Sequence, residues 1–137
     1  MKTLTPQAKA AALECTSASD HARISFPQVV TALMQAGIER YHADLCAATK
    51  TYYLPDGANE TIACDPVDTS PAETFNAEGV AAAIKAVQSG AMIYPEFCAR
   101  VAAAGCVGYL VSLTGRRVVY YGRSGDMHIE WFPGARS

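Results

Sequence analysis

The strongest constraint on this chain is an internal repeat: residues 26–57 align without a gap on residues 94–125, at a constant offset of 68 positions. Eight of the 32 aligned positions carry the same residue type in both copies, whereas composition alone would give about two. The identical pairs include Pro27 and Pro95, Gly37 and Gly105, Tyr41 and Tyr109, and Gly57 and Gly125. The chain must therefore fold in a way that uses one structural unit twice.

The repeated prolines and glycines mark the two ends of a short helix in each copy. Pro27 and Pro95 suit a first helical turn, since proline lacks an N–H group that this turn leaves unused. Residues 25–28 have the form of a capping box. Gly37 and Gly105 suit helix ends, because glycine enters the left-handed region at low cost. Apolar residues between these marks recur at helical spacing, which predicts one buried face per helix.

After each glycine the apolar pattern changes to a period of two, which is typical of strands. Tight turns rich in small residues separate successive strands. The predicted strands cover about 41–46, 50–54 and 60–64 in the first copy, and 109–114, 117–121 and 127–132 in the second.

An alanine-rich helix precedes each copy, from Pro6 to about Ser17 and from Asn76 to Ser89. The polar segment 65–73, which contains two prolines, predicts a linker between repeats at about 5–64 and 74–132. One half has too few large apolar residues to be stable alone, so residues 1–137 should form a single domain. The prediction is an α+β fold: two tandem helix-helix-strand-strand-strand repeats, related by a pseudo-two-fold axis, with one antiparallel sheet and helices on one face.

Composition excludes several classes of function. The net charge is −2, so the chain lacks the positive field that captures nucleic acid or anionic lipid. The longest uncharged run, residues 101–115, is too short to span a bilayer. Five cysteines without a C-x-x-C pair predict free thiols in a reducing cytoplasm. We therefore expect a cytoplasmic protein with no nucleic-acid or membrane partner and no firmly implied cofactor.

Three segments carry a resemblance to a known family: residues 36–45, Lys50–Gly57 (K-T-Y-Y-L-P-D-G) and Ala103–Gly125. They resemble the YbcV-like family of small uncharacterised bacterial proteins, some of which are labelled phage envelope protein. The resemblance implies a compact intracellular bacterial domain and suggests a phage-derived accessory or structural role. It implies no activity, substrate or catalytic residue.

Two strands carry a possible metal site. His42 and Asp44 share one face of the first strand, and His128 and Glu130 share one face of the last. If these strands are neighbours, the four side chains could bind a divalent metal and leave a position open for water. The alternative is a solvated polar face, with residues such as Leu45 and Ile129 on the apolar face behind it.

Arginines and tyrosines provide a second candidate site. Arg116, Arg117 and Arg123 surround the second-copy hairpin and could hold an anionic small ligand, although charges at a hairpin also serve solubility. Within each Tyr-Tyr pair one ring should be buried and the other should lie on the open face. We predict Tyr52 and Tyr120 as ligand-binding rings, with core packing as the alternative.

These features predict a non-catalytic module that binds a small molecule or a protein on the open face of its sheet, as a homodimer. A metal-assisted hydrolase or lyase that uses His42, Asp44, His128 and Glu130 is the alternative.

Overall fold

The computed structural model describes residues 2–134 and contains four helices and six strands within them. The first half consists of α1 (Pro6–Asp20), α2 (Phe26–Gln35), β1 (Arg40–Asp44), β2 (Thr49–Tyr53) and β3 (Asn59–Ala63). The second half consists of α3 (Ala77–Gln88), α4 (Tyr94–Ala103), β4 (Cys106–Ser112), β5 (Arg117–Gly122) and β6 (Met127–Trp131). The predicted α+β class and the repeated order of elements are confirmed.

The six strands form one antiparallel sheet in the order β3-β2-β1-β4-β5-β6. The two halves therefore meet at the β1–β4 pair, and β3 and β6 are the edges. His42 of β1 faces Leu110 of β4, and these two residues are separated by the repeat offset of 68. Because equivalent residues face each other here, the pseudo-two-fold axis passes between His42 and Leu110.

The two halves also share their backbone conformation at the turns. Left-handed φ angles occur at four pairs of positions that the same offset relates: Ala22 and Gly90, Gly37 and Gly105, Ala48 and Arg116, and Gly57 and Gly125. Ala22 and Gly90 lie between the two helices of each half, and Gly37 and Gly105 follow the second helix. The other two pairs lie in the turns after the first and second strands of each half. The turns are thus conformationally equivalent even where their residue types differ.

Helix ends follow the predicted chemistry. Ser25 and Gln28 form the capping box at the start of α2, and a proline lies in the first turn of α2 and of α4. The helix α1 extends three residues beyond the predicted end at Ser17. The extension buries Ala18 and Ser19, and just before it the hydroxyl of the buried Thr16 lies 2.8 Å from the hydroxyl of the buried Tyr52.

The sheet has two different faces. One face, which we call the covered face, packs against the helices and contributes the buried residues Tyr41, Tyr52, Tyr109, Val111 and Tyr120 to the core. The opposite, open face contains His42, Thr51, Tyr53, Leu110, Val119 and Tyr121, which are all partly exposed. The helices on one side of a single sheet match the predicted layer arrangement.

The face prediction for β6 is wrong. His128 pairs with Tyr120 and Glu130 pairs with Val118, so both polar residues lie on the covered face. Met127 and Ile129 therefore lie on the open face, where they are 59% and 40% exposed. A one-residue shift of β6 against β5 would exchange the two faces of β6 and put Met127 and Ile129 on the covered side.

All five cysteines are free, as predicted. Within residues 2–134, no helix is long and apolar enough to cross a membrane.

Candidate functional site

The structure does not bring the four predicted metal ligands together. His42 and Asp44 lie on the open face of β1, at the centre of the sheet, whereas His128 and Glu130 lie on the covered face of the edge strand β6. The condition on which the metal site depended, that the first and last strands are neighbours, is therefore not met. His128 Nε2 instead lies 3.2 Å from a carboxylate oxygen of Glu130. No group of three or more His, Cys, Asp or Glu residues that could hold a metal ion occurs among the described residues.

The two predicted ligand-binding tyrosines also lie on the unexpected face. Tyr52 and Tyr120 are buried on the covered face, and their neighbours Tyr53 and Tyr121 lie on the open face instead. Burial raises the pKa of Tyr52 and of Tyr120 far above the ordinary tyrosine value. These two rings are core residues, so their prediction as open-face ligand contacts is wrong.

The three predicted arginines do not form one cluster. Arg116 and Arg117 lie at the start of β5, whereas Arg123 follows its end, about 20 Å away at the usual rise per residue. The guanidinium of Arg117 stacks on the ring of Trp131, 4.2 Å from its centroid. Arg123 donates a hydrogen bond of 2.8 Å to the carbonyl oxygen of Pro71. Arg116 is exposed in the hairpin turn.

The open face carries one polar contact between the halves. Nε2 of His42 lies 2.6 Å from the hydroxyl of Tyr121, and the two rings stack. Gly108 lies beneath this contact, where an added Cβ would be only 2.5 Å from the Tyr121 hydroxyl. The glycine therefore gives the tyrosine the space to reach His42. No cavity encloses this pair among those found in residues 2–134.

A cavity of about 120 Å³ lies instead on the covered side, between the two halves. Strands β1 and β2 of the first half line it, and Tyr94, Cys98 and Ala99 of α4 approach from the second half. The end of α1 and residues 64–68 after β3 close the remaining sides. We call it the Lys50 cavity, because it contains the side chain of Lys50, which is only 3% exposed.

Lys50 is an unusual core residue. Within residues 2–134, no carboxylate oxygen lies within 4.0 Å of its ammonium nitrogen. The nitrogen lies 4.5 Å from the centroid of the Tyr94 ring, which favours a cation through its π electrons. Burial lowers the pKa of Lys50, because the ammonium form loses its hydration. Burying an ammonium group without a carboxylate partner costs several kcal/mol of folding free energy, so a charged Lys50 would destabilise the folded protein.

The neighbours of Lys50 on α4 are kept in their protonated forms. The hydroxyl of Tyr94 lies 2.6 Å from that of Tyr109, and burial holds the pKa of both tyrosines well above the ordinary value. Burial also raises the pKa of the Cys98 thiol. On the opposite wall, it raises the pKa of Cys64 to about 11. The inner cavity therefore contains one amine beside neutral hydroxyl and thiol groups.

Four aspartates contribute to the cavity lining, although the side chain of Asp44 lies on the open face of β1. The four are Asp20, Asp44, Asp65 and Asp68. Two of them are engaged locally: Asp44 accepts backbone N–H bonds from residues 46 and 47, and Asp20 accepts one from the backbone N–H of Asp65. Asp65 and Asp68 are exposed. The cavity thus combines acidic residues in its lining with a basic group inside.

The sequence analysis missed Lys50, although one signal was present. In the repeat alignment Lys50 corresponds to Val118, so a charged residue replaces an apolar core residue. Lys50 also lies between Thr49 and Thr51, in phase with the buried Tyr52. That phase indicated a lysine on the covered face. The cavity itself could not be predicted, because α1, α4 and the linker meet only in the folded chain.

Comparison with known families gives one match. The family model described as "Protein of unknown function (DUF1398)" matches residues 25–130, which is more than half of the chain. The matched range includes Lys50 and all six strands except the last residue of β6. The chain has no match among the curated proteins.

Proposed function

We infer the function from the residues of this chain, which belongs to the family described as Protein of unknown function (DUF1398). We propose that the chain binds a small organic molecule in the Lys50 cavity. The single observation that carries this proposal is the buried amine of Lys50, which lies in a cavity and has no carboxylate oxygen within 4.0 Å among residues 2–134. A costly polar group in a cavity is typical of a binding or reactive site, since packing alone would favour an apolar residue there.

The size of the cavity limits the ligand. An engineered cavity of about 150 Å³ binds benzene, and the Lys50 cavity measures about 120 Å³. The expected ligand therefore has roughly five heavy atoms or fewer inside the cavity. The location between the halves also supports binding, because ligand sites are frequent where structural units meet.

Amide chemical shifts test this proposal directly. We expect a library of small uncharged compounds to contain molecules that perturb the amides of Ala43, Lys50 and Cys98. Ala99→Phe should abolish these perturbations, because Ala99 lines the cavity and a phenyl group would fill it. Ala103→Phe is the matched control, since Ala103 is an exposed residue of the same helix outside the cavity.

A second blocking variant shows whether the loss of binding comes from the filled cavity or from a folding defect of one variant. Val67→Trp would fill the cavity from the linker side. Both blocking variants should keep the circular dichroism spectrum of the parent while losing the shifts. If no compound perturbs the cavity amides, or if both blocked variants still bind, the proposal is wrong.

A second candidate function is self-association through the open face. It rests on the exposure of Met127 and Ile129 beside an unpaired sheet edge, since exposed apolar patches and free edges favour association. The expected partner is a second copy of this chain. Met127→Glu should then convert a dimer to a monomer in light scattering, whereas Met34→Glu, at an equally exposed methionine of α2, should not. A parent protein that is monomeric would contradict this candidate.

The phage-derived accessory role and the metal-assisted reaction stay predictions. For the latter, the described geometry provides no convergent set of ligands.

A further inference from the structure

The Lys50 cavity also indicates the chemical class of its ligand. We propose that Nζ of Lys50 forms an imine with a small uncharged aldehyde or ketone held in this cavity. The inference rests on the proposed function and extends it from binding to reversible covalent capture.

Charge distinguishes among the possible ligands. An anion would meet the exposed Asp65 and Asp68 of the cavity lining, and like charges repel. A cation would lose its hydration inside the cavity, beside the amine of Lys50. An uncharged polar molecule avoids both penalties. A small aldehyde or ketone is such a molecule, and its carbonyl carbon is electrophilic.

The surroundings of Lys50 favour the free amine. Burial destabilises the ammonium form, and no carboxylate within 4.0 Å restores it among the described residues. A desolvated lysine in a pocket is an established way to obtain a nucleophilic amine. The titratable groups that face Lys50 are Cys15 and Asp20 of α1, Cys64 after β3, and Tyr94 and Cys98 of α4, with Asp44, Asp65 and Asp68 at the cavity lining.

The reaction is balanced without an oxidant or a reductant. The lone pair of Nζ attacks the carbonyl carbon, and one proton moves from the nitrogen to the oxygen to give a carbinolamine. The C–O bond then breaks as the oxygen takes up a second proton and the nitrogen loses its last one, so the products are one imine and one water molecule. Tyr94 and Cys98 line the cavity and remain protonated. The Cys98 thiol can donate a proton to the departing oxygen and take one back from the nitrogen.

Reductive trapping tests the inference. The full chain is incubated at neutral pH with propionaldehyde and sodium cyanoborohydride, which reduces an imine to a stable secondary amine. Peptide mapping by mass spectrometry then measures propylation at each lysine. We expect Lys50 to react several-fold faster than the exposed Lys9 and Lys85, because a lowered amine pKa increases the free-amine fraction at neutral pH.

Two variants complete the experiment. Lys50→Met should lose the fast phase of labelling while keeping the parent's circular dichroism spectrum, and Lys85→Met should retain it. Ala99→Phe, which fills the cavity, should slow labelling of Lys50 at least about tenfold. Equal labelling rates at Lys50 and at the exposed lysines would overturn the inference, as would fast labelling that survives Ala99→Phe.

A non-reactive analogue separates this inference from the proposed function. 1-Propanol has the size of propionaldehyde but cannot form an imine. If 1-propanol perturbs the cavity amides while Lys50 gives no trapped product, the cavity binds small molecules and the imine inference alone is wrong. If 1-propanol does not perturb the cavity amides and propionaldehyde does not label Lys50, the imine inference is wrong and the cavity does not bind ligands of this size.

Discussion

Lys50 and Val118 occupy equivalent positions in the two halves of the sheet, each on the covered face of the second strand, and they are 3% and 4% exposed. One half thus buries an amine where the other buries an isopropyl group. The environment of Lys50 differs from that of Val118 because a cavity lies beside Lys50. This asymmetry marks the first half as the one that carries the candidate site.

Replacement of Lys50 by methionine should stabilise the protein. The folded-state pKa of Lys50 is below its unfolded value, so the folded chain binds fewer protons and stability rises with pH between the two values. The penalty is complete below the folded-state pKa. We expect Lys50→Met to increase the free energy of unfolding by about 1–3 kcal/mol at pH 6, with the gain disappearing as pH approaches about 10.4.

Urea unfolding of parent and variant at pH 6, 8 and 10 measures this gain. Lys85→Met removes an exposed lysine and should change stability by less than about 0.5 kcal/mol. A Lys50→Met variant that is no more stable than the parent at pH 6 would show that the ammonium group is well solvated.

The two helix-end glycines should differ in their response to alanine. Both have positive φ angles, 85° at Gly37 and 95° at Gly105, which cost an L-residue about 1–2 kcal/mol. A Cβ at Gly37 would meet nothing within 4 Å, whereas one at Gly105 would lie 2.4 Å from the carbonyl oxygen of Thr74. Gly37→Ala should therefore cost about 1–2 kcal/mol and Gly105→Ala about 2–5 kcal/mol. Chemical denaturation of the two variants under identical conditions compares them, and equal costs would argue against the close backbone approach.

The hydroxyl of Tyr121 should contribute to stability, and that of its counterpart should not. Tyr121 lies within hydrogen-bonding distance of His42, whereas Tyr53, at the equivalent position, stacks under the guanidinium of Arg40 through its ring. We expect Tyr121→Phe to cost about 1 kcal/mol and Tyr53→Phe less than about 0.5 kcal/mol. Thermal unfolding at pH 8 provides the comparison. A cost for Tyr121→Phe that persists in a His42→Ala background would contradict the assigned partner.

Ala22 offers a stabilising substitution. Its φ angle is 56°, and the equivalent position already carries a glycine, Gly90, with φ of 81°. Ala22→Gly should increase the free energy of unfolding by up to about 1 kcal/mol, because glycine adopts this conformation without strain. The reverse change, Gly90→Ala, should decrease it by a similar amount, since no atom lies within 4 Å of the added Cβ. If both variants lower the melting temperature, the backbone conformation at Ala22 is not the one described.

Much of the fold could be predicted because the repeat retains the residues that begin and end its elements. Pro27, Gly37 and their counterparts act through local backbone chemistry, so their effect can be deduced from a single chain. The strand faces were harder. Apolar and polar residues alternate along both edge and central strands. In β6 the apolar residues Met127, Ile129 and Trp131 have the pattern of a core face, although they lie on the open face.

The candidate site could not be predicted for a different reason. Within a Tyr-Tyr pair the two residues are chemically identical, so nothing in Tyr52 and Tyr53 indicates which ring faces the helices. The Lys50 cavity also depends on segments that are distant in sequence, since Asp20 and Cys98 approach the same strands. Local patterns carry no information about such an approach.

The position of the axis between His42 and Leu110 has a consequence for half-length chains. Among the five β1–β4 pairs, only this one joins two counterparts. Two separate copies of the first half, paired in the same way, would set one His42 directly against the other. In the linked chain Leu110 occupies the second position, so the axis carries a single imidazole, whose Nε2 meets the Tyr121 hydroxyl of the other half.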